Sequence, residues 1–432
     1  MKPPTWLSVC VVAGGLAVGP VRAQSVALPQ GPCAAPAAPG TTAGTTAEPA
    51  TDTPTLRAAL DAAWQRSVAA RETDGQRRRA VAERATTANF WAAPPALELS
   101  HRNDRLQGNT GKRETEIGVA VSLWLPGQRT ARAATADAAA SLADAAEQVA
   151  RLNLAGELRE VAWQLAALQA ECDTADTQTQ AFQRLADDVE RRVKAGELAR
   201  ADALAAQAEQ LVALALQTDL RQRLQAARAR WTLLTGLTAA PELAAAAAVG
   251  NPATTAAVHP ELQLANQSMA LARKRVDLMR VSRRDAPELT MGLRQDLPGR
   301  AEASQGSLVV ALRLPFGTDD RNQPLEAAAL AELDVTQTLV ARLRERLDSD
   351  IATARDALRS AEMQLNAESA RARLLRERAS LINTAFRAGE MPLPEQLRAL
   401  AAAAQADGAM ARQTAALGWA RARLQQTQGL LP

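Results

Sequence analysis

The spacing of apolar positions changes period several times along the chain, and each change marks an element. From Thr55 a helical pattern runs to about Trp91 and stops at Pro94-Pro95. Residues 96–102 then alternate, with Leu97, Leu99 and His101 on one face and Glu98, Ser100 and Arg102 on the other. A turn region follows over 103–111. A second alternation over 115–125 sets Ile117, Val119, Val121, Leu123 and Leu125 against Gly118, Ala120, Ser122 and Trp124. Pro126-Gly127 ends it. From Gln128 to Lys194 there is no Pro and only Gly156, with a stripe at Leu158, Val161, Leu165, Leu168 and Cys172. Such a helix would be about 100 Å long at 1.5 Å per residue, a length that belongs to coiled coils and helical tunnels. Ala195-Gly196-Glu197 is a turn, and a second helix runs from about Arg200 to Leu234 before Thr235-Gly236.

The same order then recurs. A helix from about Glu261 to Arg284 leads to a strand opened by Pro287, with Leu289, Met291 and Leu293 against Thr290, Gly292 and Arg294. A turn region over 296–306 precedes Leu308, Val310, Leu312 and Leu314, and Pro315-Phe316-Gly317 breaks that strand. A long helix is expected from Pro324 to Arg387, with a stripe at Leu347, Ile351, Ala354, Leu358, Ala361 and Leu365. Ala388-Gly389-Glu390 is the turn, and a last helix runs from about Pro394 to Gln428. Pro95 matches Pro287, Gly196 matches Gly389, and Arg228-Ala229-Arg230 matches Arg421-Ala422-Arg423. The chain is therefore a duplicated unit of about 190 residues, helix–strand–strand–long helix–turn–helix. The first copy spans 54–237, a Pro/Ala/Thr linker 238–258, and the second copy 259–432.

Composition agrees with long, closely packed helices: alanine dominates the apolar set, aromatics are 3%, and Tyr is absent. A net charge of +3, with basic and acidic residues interleaved, gives no field for nucleic acid. Lys2, the apolar stretch Trp6–Val18 and Val21-Arg22-Ala23 read as a secretory signal peptide over 1–23, with a Pro/Ala/Thr/Gly leader over 24–53 expected to be disordered. No stretch approaches the roughly 20 apolar residues of a spanning helix. Leu7-Ser8-Val9-Cys10 is similar to a lipoprotein signal, but bulky Val9 and a short apolar region weigh against lipidation. A Cys33–Cys172 disulfide stays open beside the favoured reading, a tail thiol and a core thiol.

Four strands in an exported chain cannot cross a membrane alone, because an open sheet strands backbone groups in lipid. Strands with one apolar and one polar or small face fit either a closed barrel shared between chains or a small soluble β-subdomain. The chemistry of catalysis is missing. His101 and His259 are the 2 histidines, without carboxylate or Cys at metal-ligand spacing, and no Gly-rich phosphate loop follows the leader. The chain reads as a conduit, not an enzyme, with no metal site and no cofactor.

In order, Leu56-Arg57-Ala58-Ala59-Leu60, Leu125-Pro126-Gly127-Gln128-Arg129-Thr130-Ala131-Arg132, Arg192-Val193-Lys194-Ala195-Gly196-Glu197-Leu198, Leu314-Pro315-Phe316-Gly317, Asp320-Arg321-Asn322-Gln323 and Phe386-Arg387-Ala388-Gly389-Glu390 resemble the TolC-like outer membrane factors, and among them the heavy-metal, CzcC-like branch. The resemblance implies a mainly α fold with a small β part. A homotrimer would build a coiled-coil periplasmic tunnel and a twelve-stranded barrel, four strands per protomer, in outer-membrane lipid. It implies a periplasmic adaptor and a proton-driven, RND-type inner-membrane transporter as partners, and heavy-metal cations as cargo. Adaptor contact would fall on Arg192, Ala195, Gly196, Glu197 and Leu198 and on Arg387, Ala388, Gly389, Glu390 and Met391. Glu395 matches the first acidic position of the family's aperture, whereas the second is Arg398, a departure that makes the ring less attractive to cations. A first-turn Glu complementing the helix dipole is the competing reading of Glu395. A multidrug or organic-solute channel, a periplasmic adaptor and a structural coiled-coil envelope protein are the alternatives.

Overall fold

A computed structural model describes residues 53–106, 108–241, 243, 259–316 and 319–432. The signal and leader expectations, Cys10, Cys33 and most of the 238–258 linker lie outside the described residues. The elements are α1 (Leu56–Arg66), α2 (Val68–Thr86), β1 (Ala96–Asn103), β2 (Arg113–Ser122), α3 (Gln128–Lys194), α4 (Arg200–Thr235), α5 (Pro260–Val281), β3 (Glu288–Leu297), β4 (Gln305–Arg313), α6 (Asp319–Arg387) and α7 (Leu393–Thr427).

The long helix α3 has 67 residues, about 100 Å, and its expected stripe is buried at Leu158, Val161, Leu165 and Cys172. Three expectations need correction. The first helix is two: Ser67 leaves helical geometry (ψ 145°) and its Oγ accepts from Ala70 N–H at 3.1 Å, capping α2. α2 ends at Thr86, not Trp91, because the Arg129 guanidinium of α3 donates to the carbonyls of Thr87 and Ala88 at 2.7 and 3.0 Å. α6 begins at Asp319, five residues before Pro324, which sits inside the helix. Asn322 in its first turn holds the Arg283 carbonyl, and so early a Pro forfeits little of the helix's own bonding.

α3 with α4, and α6 with α7, form two helical hairpins, and α3 also packs along α7. That second seam allows very close approach. Gly418 of α7 lies flat on the Trp163 ring of α3, where a Cβ would enter the ring. A Cβ on Gly156 would stand 3.1 Å from Gln426 Nε2. Arg159, 1% exposed, donates to Gln426 Oε1 at 2.5 Å and to the Leu430 carbonyl at 2.9 Å. Burial pushes its guanidinium down to about 10, so it stays charged at neutral pH. Gln426 Nε2 in turn donates to the Leu152 carbonyl at 2.7 Å.

The four strands form one antiparallel sheet, β1-β2-β3-β4, with β2–β3 joining the two halves. The register lines up apolar rows on one face. Leu97, Val119, Met291 and Val310 make one row, and Leu99, Ile117, Leu293 and Leu308 the next. All eight are exposed. The opposite face is small: Ala120 is buried, and a Cβ on Gly292 would meet Ile117 O at 2.7 Å and Gly118 Cα at 2.9 Å. Beyond the glycines it becomes charged, with Arg294 paired to Glu114 at 2.7 Å and to Asp296 at 3.1 Å.

The seam makes a direct demand on Gly418. Substituting Gly418→Ala is expected to cost about 1–3 kcal/mol by overpacking against Trp163. Thermal unfolding of the detergent-solubilised chain measures it, and an unchanged midpoint would show that the seam yields freely.

Candidate functional site at the paired helix turns

The α3–α4 and α6–α7 turns are built alike because each spends one glycine on left-handed backbone. Gly196 has φ 82° and Gly389 φ 78°. Glu197 N–H then bonds to the Arg192 carbonyl at 2.9 Å, and Glu390 N–H to Ala385 O at 2.9 Å. Asp202 accepts from Ala199 N–H at 3.1 Å and fixes the start of α4. Nothing lies near a Cβ at either glycine, so the demand is for φ, not for space.

Beneath the turns the two hairpins share one core. Phe182, Ala186 and Val189 of α3, Ala206 and Ala213 of α4, Phe386 of α6, and Leu393 and Leu397 of α7 are buried together. Leu198 and Met391 pack half-buried against it. Arg192 lies over the Phe386 ring at 5.1 Å, a cation–π contact between the hairpins, and pairs with Asp188 at 3.1 Å. Ala195, Gly196, Glu197, Arg387, Ala388, Gly389 and Glu390 are all exposed. The ten residues singled out for partner contact thus gather at one end of the molecule, seven presented outward and three anchoring the turns.

Beside this core a cleft of about 830 Å³ separates α3 from α6 and α7, lined by Arg184, Asp187, Asp188, Arg191, Asn383, Phe386 and Gln396 among others. Gln396 is buried, donates to Asn383 Oδ1 at 3.1 Å, and leaves its Oε1 without a partner.

Glu395 and Arg398 meet directly. Glu395 stands between Arg378 of α6 at 2.7 Å and Arg398 at 3.1 Å, and is 25% exposed. Its charge is matched by two guanidiniums within its own hairpin. Sequence reading missed Arg378, which stands 17 residues before Glu395 and reaches it only because the hairpin folds back. It also missed the Phe386–Arg192 stack, whose signal was an aromatic three residues before one turn glycine and a cation four before the other.

His101 and His259 do not converge on a ligand. His101 Nδ1 stands 2.9 Å from Thr115 Oγ1 on the sheet. His259 Nδ1 accepts from Glu261 N–H at 3.2 Å and caps α5, and burial lowers its proton affinity. Cys172 is buried in a core cluster of α3 and α4. Among the described residues no group of three or more His, Cys, Asp or Glu could hold a metal ion, and no helix is long and apolar enough to cross a membrane.

Several solved structures share this fold. VceC of Vibrio cholerae, an outer membrane protein, shares 14% identity at a TM-score of 0.69, covering 87% of this chain and 96% of its own. The Campylobacter jejuni outer membrane channel CmeC gives 11% and 0.71, covering 88% and 86%. CusC, which forms a transmembrane channel, gives 15% and 0.71, covering 87% and 92%. The chain has the fold of these outer-membrane channels. No family model and no curated protein matches it.

Proposed function

We propose that the chain is one protomer of a trimeric outer-membrane channel, serving an efflux system with a periplasmic adaptor and a proton-driven RND-type inner-membrane transporter. The observation that carries this is the sheet: an exposed apolar face, a polar and small opposite face, and two open edges, β1 and β4. Each large apolar side chain taken fully out of water gains about 1.5–3 kcal/mol, so the apolar face favours lipid. Open edges do not survive in lipid and must pair with another chain. Exposed Phe90 and Phe316, with Trp91 and Trp124 beside them, lie where the strands meet the helices, a place aromatic side chains take at a membrane–water boundary.

The internal repeat supplies the partner edge. Leu97 pairs with Val119 in the first hairpin as Leu289 pairs with Leu312 in the second. The central seam pairs Val119 with Met291. Its equivalent at the open edges sets Leu312 of one copy opposite Leu99 of the next. The helices follow the same logic. The α3–α7 seam has its equivalent between α6 and the next copy's α4, and both carry exposed apolar residues there, among them Leu339, Leu374 and Leu381 on α6 and Leu204, Leu211 and Leu233 on α4. Such head-to-tail contacts close into a ring, and three copies give twelve strands.

The paired turns would meet the adaptor, with their exposed Arg387, Glu390 and Glu197 forming the outer contact. Glu395, held by its two arginines, would line the periplasmic constriction. Heavy-metal cations are the proposed cargo, supported by the resemblance of the Leu125–Arg132 and Phe386–Glu390 segments to the CzcC-like branch.

Three measurements test these statements separately. Oxidation of a Leu99→Cys/Leu312→Cys chain is expected to give a covalent ladder ending at the trimer, with no ladder from either single variant or from Leu99→Cys paired with Ala311→Cys on the opposite face. A ladder continuing past three, or none, contradicts the ring. In planar bilayers Glu395→Ala is expected to alter single-channel conductance and block by divalent cations. Unchanged values in both would remove Glu395 from the constriction. A strain lacking the gene is expected to lose resistance on a panel of cobalt, zinc, cadmium, nickel, copper and silver. Sensitivity confined to organic drugs would reassign the cargo.

A further inference from the structure

The two strand–strand connections at the end of the sheet away from the helices are tied to each other. Arg300 N–H donates to the Thr110 carbonyl at 3.3 Å, and its guanidinium to Asn109 Oδ1 at 3.1 Å. Asn109 holds φ 41°, and a Cβ on Gly111, at φ 88°, would stand 2.5 Å from Arg300 Cγ. The loops therefore form one body enclosing a cavity of about 590 Å³, whose lining includes Arg105, Lys112, Arg113, Arg300, Asp104 and Glu302.

Its charges are unequal in availability. Asp104 is used within the loop, accepting from Thr110 N–H at 2.7 Å and Thr110 Oγ1–H at 2.6 Å, which holds its carboxyl below the usual range. Among the described residues Arg105, Lys112 and Arg113 have no carboxylate partner. Glu302 is the remaining negative group of the lining. Four cations thus face two anions, one of them already engaged.

The position relative to the apolar rows identifies the ligand. Arg113 is on β2, on the same face as Ile117 and Val119, and shares a row with Asn103 and Leu297. It stands four residues beyond the last apolar row, about 13 Å along the strand. Cations at that offset, on the side that faces lipid, sit at the depth of lipid headgroups.

We propose that the cavity between the two strand connections, through Arg105, Lys112, Arg113 and Arg300, binds the free monoester phosphate on the headgroup of an anionic membrane lipid. The proposal rests on the reading of the sheet as membrane-spanning. Arg300 holds the loops together and supplies one donor; Lys112 and Arg113 supply the charges free to engage. Seated there, the lipid would lock both connections at one depth and add a polar rim to the apolar band.

Native mass spectrometry of the full chain, released from detergent with phosphatidic acid or with phosphatidylcholine, tests it. The chain is expected to retain phosphatidic acid and not phosphatidylcholine. Lys112→Gln/Arg113→Gln is expected to lower that retention about 30-fold, at about 1 kcal/mol for each charge near an anionic headgroup. Arg102→Gln, on the face opposite the apolar rows, should leave it intact. Equal retention by the double variant overturns the site, and full displacement of the lipid by inorganic phosphate overturns its assignment to a lipid. Conductance of the same preparation separates the two readings: a conducting chain with unselective lipid retention loses only this proposal, whereas a non-conducting chain that keeps the lipid loses the channel.

Discussion

The arrangement hangs on the seam where α3 meets α7. α3 also packs on α5 of the second half, and the α3–α7 seam ties the first half of the chain to its last residues. Two glycines make it possible, Gly418 beneath the Trp163 ring and Gly156 beneath the Gln426 amide. Arg159 then closes it from inside. A buried guanidinium without a carboxylate is costly, and here the Gln426 and Leu430 oxygens offset the cost. Removing either acceptor would leave a charge stranded, so the arginine specifies where the C-terminal residues must lie. Farther along, Arg412 reaches Glu171 at 3.6 Å, and clefts then lie beside the helices before the shared core under the turns joins the hairpins again.

The sheet answers to a different constraint. In the helices, hydrogen bonding is complete within each element, whereas β1 and β4 each keep one edge unpaired. The small face resolves its own problem by size. Facing Gly118 and Gly292 leave no room for a side chain between the middle strands. Exposed apolar rows on one face and free edges both favour closure by further strands. Assembly and entry into lipid would then be coupled, since an unclosed sheet pays for its edges only once lipid surrounds it.

Much of this was legible because the underlying rules are local. The two turns were visible from Gly196 and Gly389, since only glycine takes left-handed backbone cheaply after so long a helix. The strands were visible from alternation, and α3 and α6 from apolar stripes at steps of three and four. What sequence hid was set by tertiary partners. Ser67 breaks the first helix without any Pro or Gly to announce it. α2 stops where Arg129, more than forty residues later, takes its last carbonyls. Gly156 and Gly418 look like weak points in helices and are instead the places where a ring and an amide fit. Glu395 was singled out, but its neutralisation by Arg378 depends on the α6–α7 fold-back, which spacing alone does not reveal.

That last pairing constrains how the proposed constriction could open. Arg378, Glu395 and Arg398 all belong to the α6–α7 hairpin. A movement of one hairpin against the other leaves the three together, so the charge at the constriction travels with the hairpin and does not depend on its state. The contacts that must give way are those between hairpins: Arg192 over Phe386, and the shared apolar core under the turns. A cation–π contact is worth about 0.5–2 kcal/mol, little against the packing along either hairpin. The partner-free Oε1 of Gln396 faces the same divide. Opening would therefore pivot hairpins as units, about a fulcrum no nearer the turns than the Glu171–Arg412 pair, while the seam held by Arg159 stays closed.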